Sequence, residues 1–148
     1  ILVNMEEATV RKSGGIDAAA GKVWEVLLEP RFTKEWGGEF MDGCYVESDW
    51  NLGSEVIWKD GDGTPFVSGV VSDIWPESLL IVGFYDDVSS RPPEPPGEFK
   101  ETYALSEEDG RTILSIIAEL GPVDEETFNN ASLLWDNALQ KIKELSES

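Results

Sequence analysis

The chain has 148 residues, with 30 acidic side chains against 11 basic ones and a net charge of -19. That length suits one hydrophobic core, and that charge has the wrong sign for binding nucleic acid or anionic lipid. The absence of histidine and the single cysteine, Cys44, exclude imidazole metal sites, Ser-His-Asp and Cys-His catalysis, and an internal disulfide.

No apolar run approaches the roughly 20 residues of a membrane helix, so no membrane insertion is expected. Cytoplasmic location is the default expectation. Residues 1–5 read as an N-terminal extension or cloning remnant, and 6–146 as a single domain.

Glu7 to Lys12 predicts a first strand, broken by Gly14-Gly15. Asp17 stands before Ala18-Ala19-Ala20 as a candidate N-cap. Val23, Trp24, Leu27 and Leu28 follow at helical spacing, and Pro30 either ends that helix or starts the next. Arg31 to Trp36 predicts a second, brief helix stopped by Gly37-Gly38.

The middle of the chain is punctuated like a meander. Asn51-Leu52-Gly53 separates Tyr45–Trp50 from Ser54–Lys59. Asp60-Gly61-Asp62-Gly63 precedes Phe66–Trp75, and Pro76-Glu77-Ser78 precedes Leu79–Tyr85. Glu107-Glu108-Asp109-Gly110 joins Phe99–Leu105 to Thr112–Leu120. Turn residues between β-branched and aromatic runs predict antiparallel hairpins. Between them, Asp86 to Glu98 carries Pro92, Pro93, Pro95 and Pro96. Proline cannot donate to a ladder, so this stretch reads as a linker or as a flap beside a cavity mouth.

Asp124 to Glu144 predicts one long helix. Phe128, Ala131, Trp135, Ala138, Leu139, Ile142 and Leu145 form its apolar stripe. Asp124, Glu125 and Glu126 at its start, with Lys141 and Lys143 in its last turns, suit the helix dipole.

Several patterns, in this order, carry a family resemblance. They are Val23 to Pro30 with Trp36, Asp49-Trp50-Asn51-Leu52-Gly53 with Val56 and Trp58, and Asp62-Gly63 with Gly69-Val70-Val71, Pro76 and Leu79. Thr102-Tyr103-Ala104-Leu105 with Gly110-Arg111-Thr112 and Leu114 comes next, then Leu134-Trp135-Asp136-Asn137 with Leu139 and Lys143. The chain resembles the START / birch-pollen-allergen / polyketide-cyclase superfamily (SRPBCC). Within it, the chain is most similar to the branch of the C-terminal domain of the activator of heat-shock-protein-90 ATPase. The resemblance implies an α+β helix-grip fold, a seven-stranded antiparallel sheet curved around the long C-terminal helix, with a hollow between them. That branch usually has Gly before the helix Trp; Leu134 stands there instead.

Six tryptophans are many for this length, and Trp24, Trp36, Trp58 and Trp135 fall on positions expected to face the interior. Trp50 and Trp75 lie at strand ends, where edge packing is expected. On one strand Phe99, Glu101, Tyr103 and Leu105 share a face, so Glu101 is expected to point inward. A carboxylate there must reach water at an edge, sit in a wet cavity, or be neutralised. On the last strand Thr112, Leu114, Ile116 and Ala118 form the inner face, leaving Ile113 and Ile117 outside or under a second chain. The candidate ligand-binding set is thus Trp24, Trp36, Trp58, Glu101, Tyr103, Leu114, Ile116, Phe128, Trp135 and Leu139.

The acidic pairs Asp60/Asp62 and Asp86/Asp87 and the run Glu107–Asp109 read as solvated turns without an EF-hand pattern, so no metal or cofactor is expected. Cys44 reads as a small buried residue. The leading expectation is a binding module for a small apolar or aromatic molecule, carrying a donor or cation for Glu101, in a monomer or weak homodimer. A polyketide cyclase or dehydratase-like enzyme stands second, with Glu101 and Tyr103 as its only clear polar pair. A chaperone-activator-like interaction domain stands third, on the expectation that no further N-terminal domain is present.

Overall fold

In the chain's computed structural model, residues 4–148 are described. The strands are β1 (Asn4–Ile16), β2 (Tyr45–Ser48), β3 (Glu55–Lys59), β4 (Pro65–Trp75), β5 (Leu79–Phe84), β6 (Lys100–Glu108) and β7 (Arg111–Asp124). The helices are α1 (Ala20–Leu28), α2 (Pro30–Trp36) and α3 (Glu125–Glu147). All seven strands form one antiparallel sheet in the order β1-β7-β6-β5-β4-β3-β2. The expected α+β helix-grip arrangement is present, with α3 lying against β1 and β7 and touching α1 and α2.

Local chemistry accounts for most of these elements. Asp109 and Gly110 both have positive φ, 53° and 76°, so the Asp-Gly pair makes the tight β6–β7 hairpin whose twist matches its strands. Pro30 opens α2 at a position where a missing N–H costs nothing. The Asp124 side chain accepts from Thr127 N at 2.8 Å and caps α3.

Four local expectations are corrected. Gly14 and Gly15 do not break β1; they pair with Leu114 and Ile113, and the strand runs from Asn4, inside the stretch read as an extension, to Ile16. A side chain at Gly14 would meet Leu139 of α3 at 3.4 Å, so Gly14 is where helix and strand approach closely, while one at Gly15 would meet the Arg111 side chain. Asp17 does not cap α1. Glu107, from β6, accepts from Ala20 N at 2.6 Å, while Asp17 N donates to Glu147 at 2.8 Å. Finally, α3 continues past its lysines to Glu147, and Lys143 pairs with Glu147 at 2.6 Å.

The flap reading of the proline-rich stretch is the fourth, while the stretch does link β5 to β6. Ser68 Oγ donates to the carbonyls of Asp87 and Ser90, and the Tyr85 hydroxyl donates to that of Glu94. Pro96 sits on Gly83, where a Cβ would meet it at 2.8 Å. Ser68, Gly83 and Tyr85 alternate with the inward Val67, Val82 and Phe84. The segment is therefore pinned to the convex face of the sheet rather than hung over the concave side as a flap.

The core lies on the concave side. Val10, Ile16, Val23, Val26, Leu114, Ile116 and Ile142 are almost wholly buried there. Ile113 is exposed on the opposite face and Ile117 is half-buried.

Candidate functional site

Core side chains do not fill all the space between sheet and α3. A cavity of about 300 Å³ remains toward the N-terminal half of that helix. Strand alternation brings Trp58, Val67, Phe84, Glu101 and Leu120 to it from the concave face, and Phe99 from just before β6. Helical spacing brings Thr127, Asn130, Ala131, Leu134 and Trp135 to it from α3. Trp36, from the end of α2, and Phe40 and Cys44, from the segment after it, close one side. Phe40, Thr127 and Asn130 are exposed and mark the mouth.

The aromatic wall is braced. Trp36 donates from Nε1 to the Val26 carbonyl at 2.8 Å, which fixes its ring, and Trp58 meets it edge-on at 5.7 Å between centroids. Trp135 is held edge-on by Phe40 at 4.8 Å and by Tyr103 at 6.2 Å. Phe84 and Phe99 stack at 4.9 Å. Gly37 matters here, because a Cβ would come within 3.1 Å of Cys44 Sγ and Trp58.

Among the described residues, Glu101 is the one acidic group on this wall, and no Lys or Arg lines the cavity. It lies on β6, an interior strand between β7 and β5, and is only 8% exposed, so it does not escape to water at an edge. The Tyr103 hydroxyl donates to its Oε1 at 2.6 Å, and its other oxygen has no protein partner among the described residues. Desolvation pushes the carboxyl up to about 7, against the opposing effect of the Tyr103 hydrogen bond. Burial, reinforced by the Glu101 charge, pushes the Tyr103 hydroxyl well above its ordinary range. The Cys44 thiol donates to the Gly37 carbonyl at 3.2 Å, and burial pushes it up, away from thiolate chemistry.

The sequence-derived set divides. Trp36, Trp58, Glu101 and Trp135 are on the cavity wall. Tyr103 stands behind it, reaching it only through Glu101 and Trp135. Leu114 and Ile116 are wholly buried core, and Trp24 and Phe128 pack against the core away from the cavity. Leu139 lies one turn beyond Trp135, beside Gly14. Sequence reasoning missed Phe40, in a turn with no periodicity to read. It also missed Phe66, which reaches the wall beside its neighbour Val67 because the β3–β4 register slips between Trp58 and Lys59. Leu134 was visible as a departure from the family pattern, and it does line the cavity.

A curved antiparallel sheet gripping a helix over an apolar hollow defines a START-like helix-grip protein. The chain belongs to the family of activator of Hsp90 ATPase homolog 1-like proteins, whose family model matches residues 17–147. No curated protein sequence matches it significantly. Among solved structures it is similar to ChR145 from Cytophaga hutchinsonii, 23% identical with a TM-score of 0.68, over 91% of this chain and 90% of that one. It is similar to the Aha1 dimer from Colwellia psychrerythraea, 14% identical with a TM-score of 0.70, over 94% and 96%. DynU16, a putative protein of the dynemicin biosynthetic locus, is 17% identical with a TM-score of 0.71, over 95% of this chain and 48% of that one. These likenesses establish the fold.

Proposed function

We propose that this protein binds a small apolar or aromatic molecule in the cavity between the sheet and α3. The carrying observation is the cavity itself, about 300 Å³ of unfilled space walled by rigid aromatics with one buried carboxyl. Interiors normally pack without such voids, and an aromatic wall with few polar groups is the make-up of small-molecule sites. Its volume lies at the low end of their range of roughly 300–1,000 Å³, which suits an occupant of one or two rings.

Binding ranks above turnover. Glu101 and Tyr103 are hydrogen-bonded to each other, and Tyr103 stands off the wall, leaving one carboxyl to serve as acid or base. An interaction role, as the family description suggests, would use outer surfaces and leave the cavity unexplained. Native mass spectrometry of protein purified from its own cells tests the reading. An adduct of one small organic molecule per chain, lost on denaturation, is expected. Only the bare chain mass, from cells and after incubation with neutral aromatic compounds, would contradict it.

A further inference from the structure

Resting on that binding reading, we propose that the occupant is an amine, held as its ammonium ion against Glu101 with its apolar body among Trp36, Trp58 and Trp135. Glu101 is more than nine-tenths buried on the cavity wall, and Tyr103 satisfies only one of its oxygens. The free oxygen faces the cavity, where a donor can reach it. The wall carries no Lys or Arg, so the protein supplies no counter-charge. A carboxylate against a mostly apolar wall is poorly solvated, and a ligand bringing both a positive charge and N–H donors pairs it better than a stray water. An ammonium that meets the face of one of the bordering indoles gains cation–π attraction, strongest for Trp and strengthened by desolvation. A carboxylate ligand would place two like charges side by side, inside a chain already at -19.

Binding of this kind is linked to a proton. The titratable neighbours on the elements facing Glu101 are Tyr103 on β6 and Cys44 before β2, both held neutral by burial. Among the described residues, no charged group from β3, β4, β5, β7, α1, α2 or α3 joins them beside Glu101. An ammonium entering beside protonated Glu101 displaces its proton to solvent, leaving an ammonium–carboxylate pair. No covalent bond is made. Alkylammonium groups stay protonated to about pH 10, so only Glu101 titrates in the working range. Its carboxyl at about 7 implies affinity that rises about tenfold from pH 6 to pH 8.

The experiment compares 2-phenylethylamine, 2-phenylethanol and phenylacetate by calorimetry on wild type and Glu101→Gln, at pH 6 and 8, in buffers of differing ionisation enthalpy. The surface charge attracts any cation weakly, so the single-charge variant is what assigns an effect to the cavity. The expected result is an amine at least tenfold tighter than the alcohol at pH 8, phenylacetate weakest, and proton release at pH 6. The amine's advantage should vanish in Glu101→Gln while alcohol binding persists. Alcohol binding as tight as amine at pH 8, or an amine advantage that survives Glu101→Gln, overturns the amine assignment and leaves the cavity reading standing. No binding by any of the three overturns both. The wild-type ratio of amine to alcohol affinity at pH 8 decides the matter even if the variant fails to fold.

Discussion

The Tyr103 hydroxyl donates a 2.6 Å hydrogen bond to Glu101 Oε1 two residues away on the same face of β6, placing a coupled acid pair between the core and the cavity. The carboxyl points at the open space and the ring at Trp135. The ordinary carboxyl value of 4.5 rises to about 7 through desolvation. Between these values the folded chain holds a proton that the unfolded chain has lost. Stability tied to Glu101 is therefore full below about pH 4.5, falls as pH rises, and stays lost above about pH 7. Glu101→Gln lacks this loss. Its stability relative to wild type should improve by about 2 kcal/mol between pH 5 and pH 8, read from urea melts. A difference independent of pH would show that Glu101 is not desolvated.

Tyr103→Phe removes the group that favours the ionised carboxyl. The Glu101 titration should then move to higher pH, seen in the carboxyl carbon signal by NMR. At pH 8 the variant should lose about 1.5–3 kcal/mol, the usual worth of a hydrogen bond to a charge. An unmoved titration would mean that the two groups are not bonded in solution.

Trp135 is 3% exposed and holds Phe40 and Tyr103 edge-on. Trp135→Ala should cost about 3–5 kcal/mol, and Trp135→Phe clearly less, because a second ring keeps part of the wall. Equal midpoints for wild type and Trp135→Ala in denaturant would remove this residue from the core.

Leu134 occupies the position where the related branch usually has Gly, and it lines the cavity. Leu134→Ala should enlarge the space and admit a larger ring system. Its cost should fall at or below the low end of about 2–5 kcal/mol for Leu→Ala, because the site is only half-buried. The same ligand preference in both proteins, measured by competition between one-ring and two-ring compounds, would place the binding wall elsewhere.

Much of this was legible in the sequence, for physical reasons. Period-two alternation placed Glu101 and Tyr103 on the inner face, and both are buried. The Asp109-Gly110 dipeptide announced its hairpin because few other residues tolerate positive φ. Helical spacing placed Trp135 on the buried side of α3. The misreadings share a cause, contacts made across long stretches of chain. Gly14-Gly15 looked like a break, but pairing along β7 carries the strand through. Asp17 looked like a cap, but Glu107, 87 residues from Ala20, supplies the acceptor. The prolines before β6 gave no sign of which face they would cover, and serine and tyrosine bonds on the convex side decide it. Phe40 had no period to betray it, since it lies just beyond a 3₁₀ turn.

The most direct test of the cavity is a tryptophan-fluorescence titration with 2-phenylethanol, a neutral one-ring compound, on wild type and on Leu134→Trp, which plugs the space from α3. Trp36, Trp58 and Trp135 all border that space and report occupancy. The account predicts a saturable, one-to-one change in wild type and its loss in the plugged variant, with the fold verified by circular dichroism. A non-saturating response, or the same binding curve in both proteins, would contradict a ligand site between the sheet and the long helix.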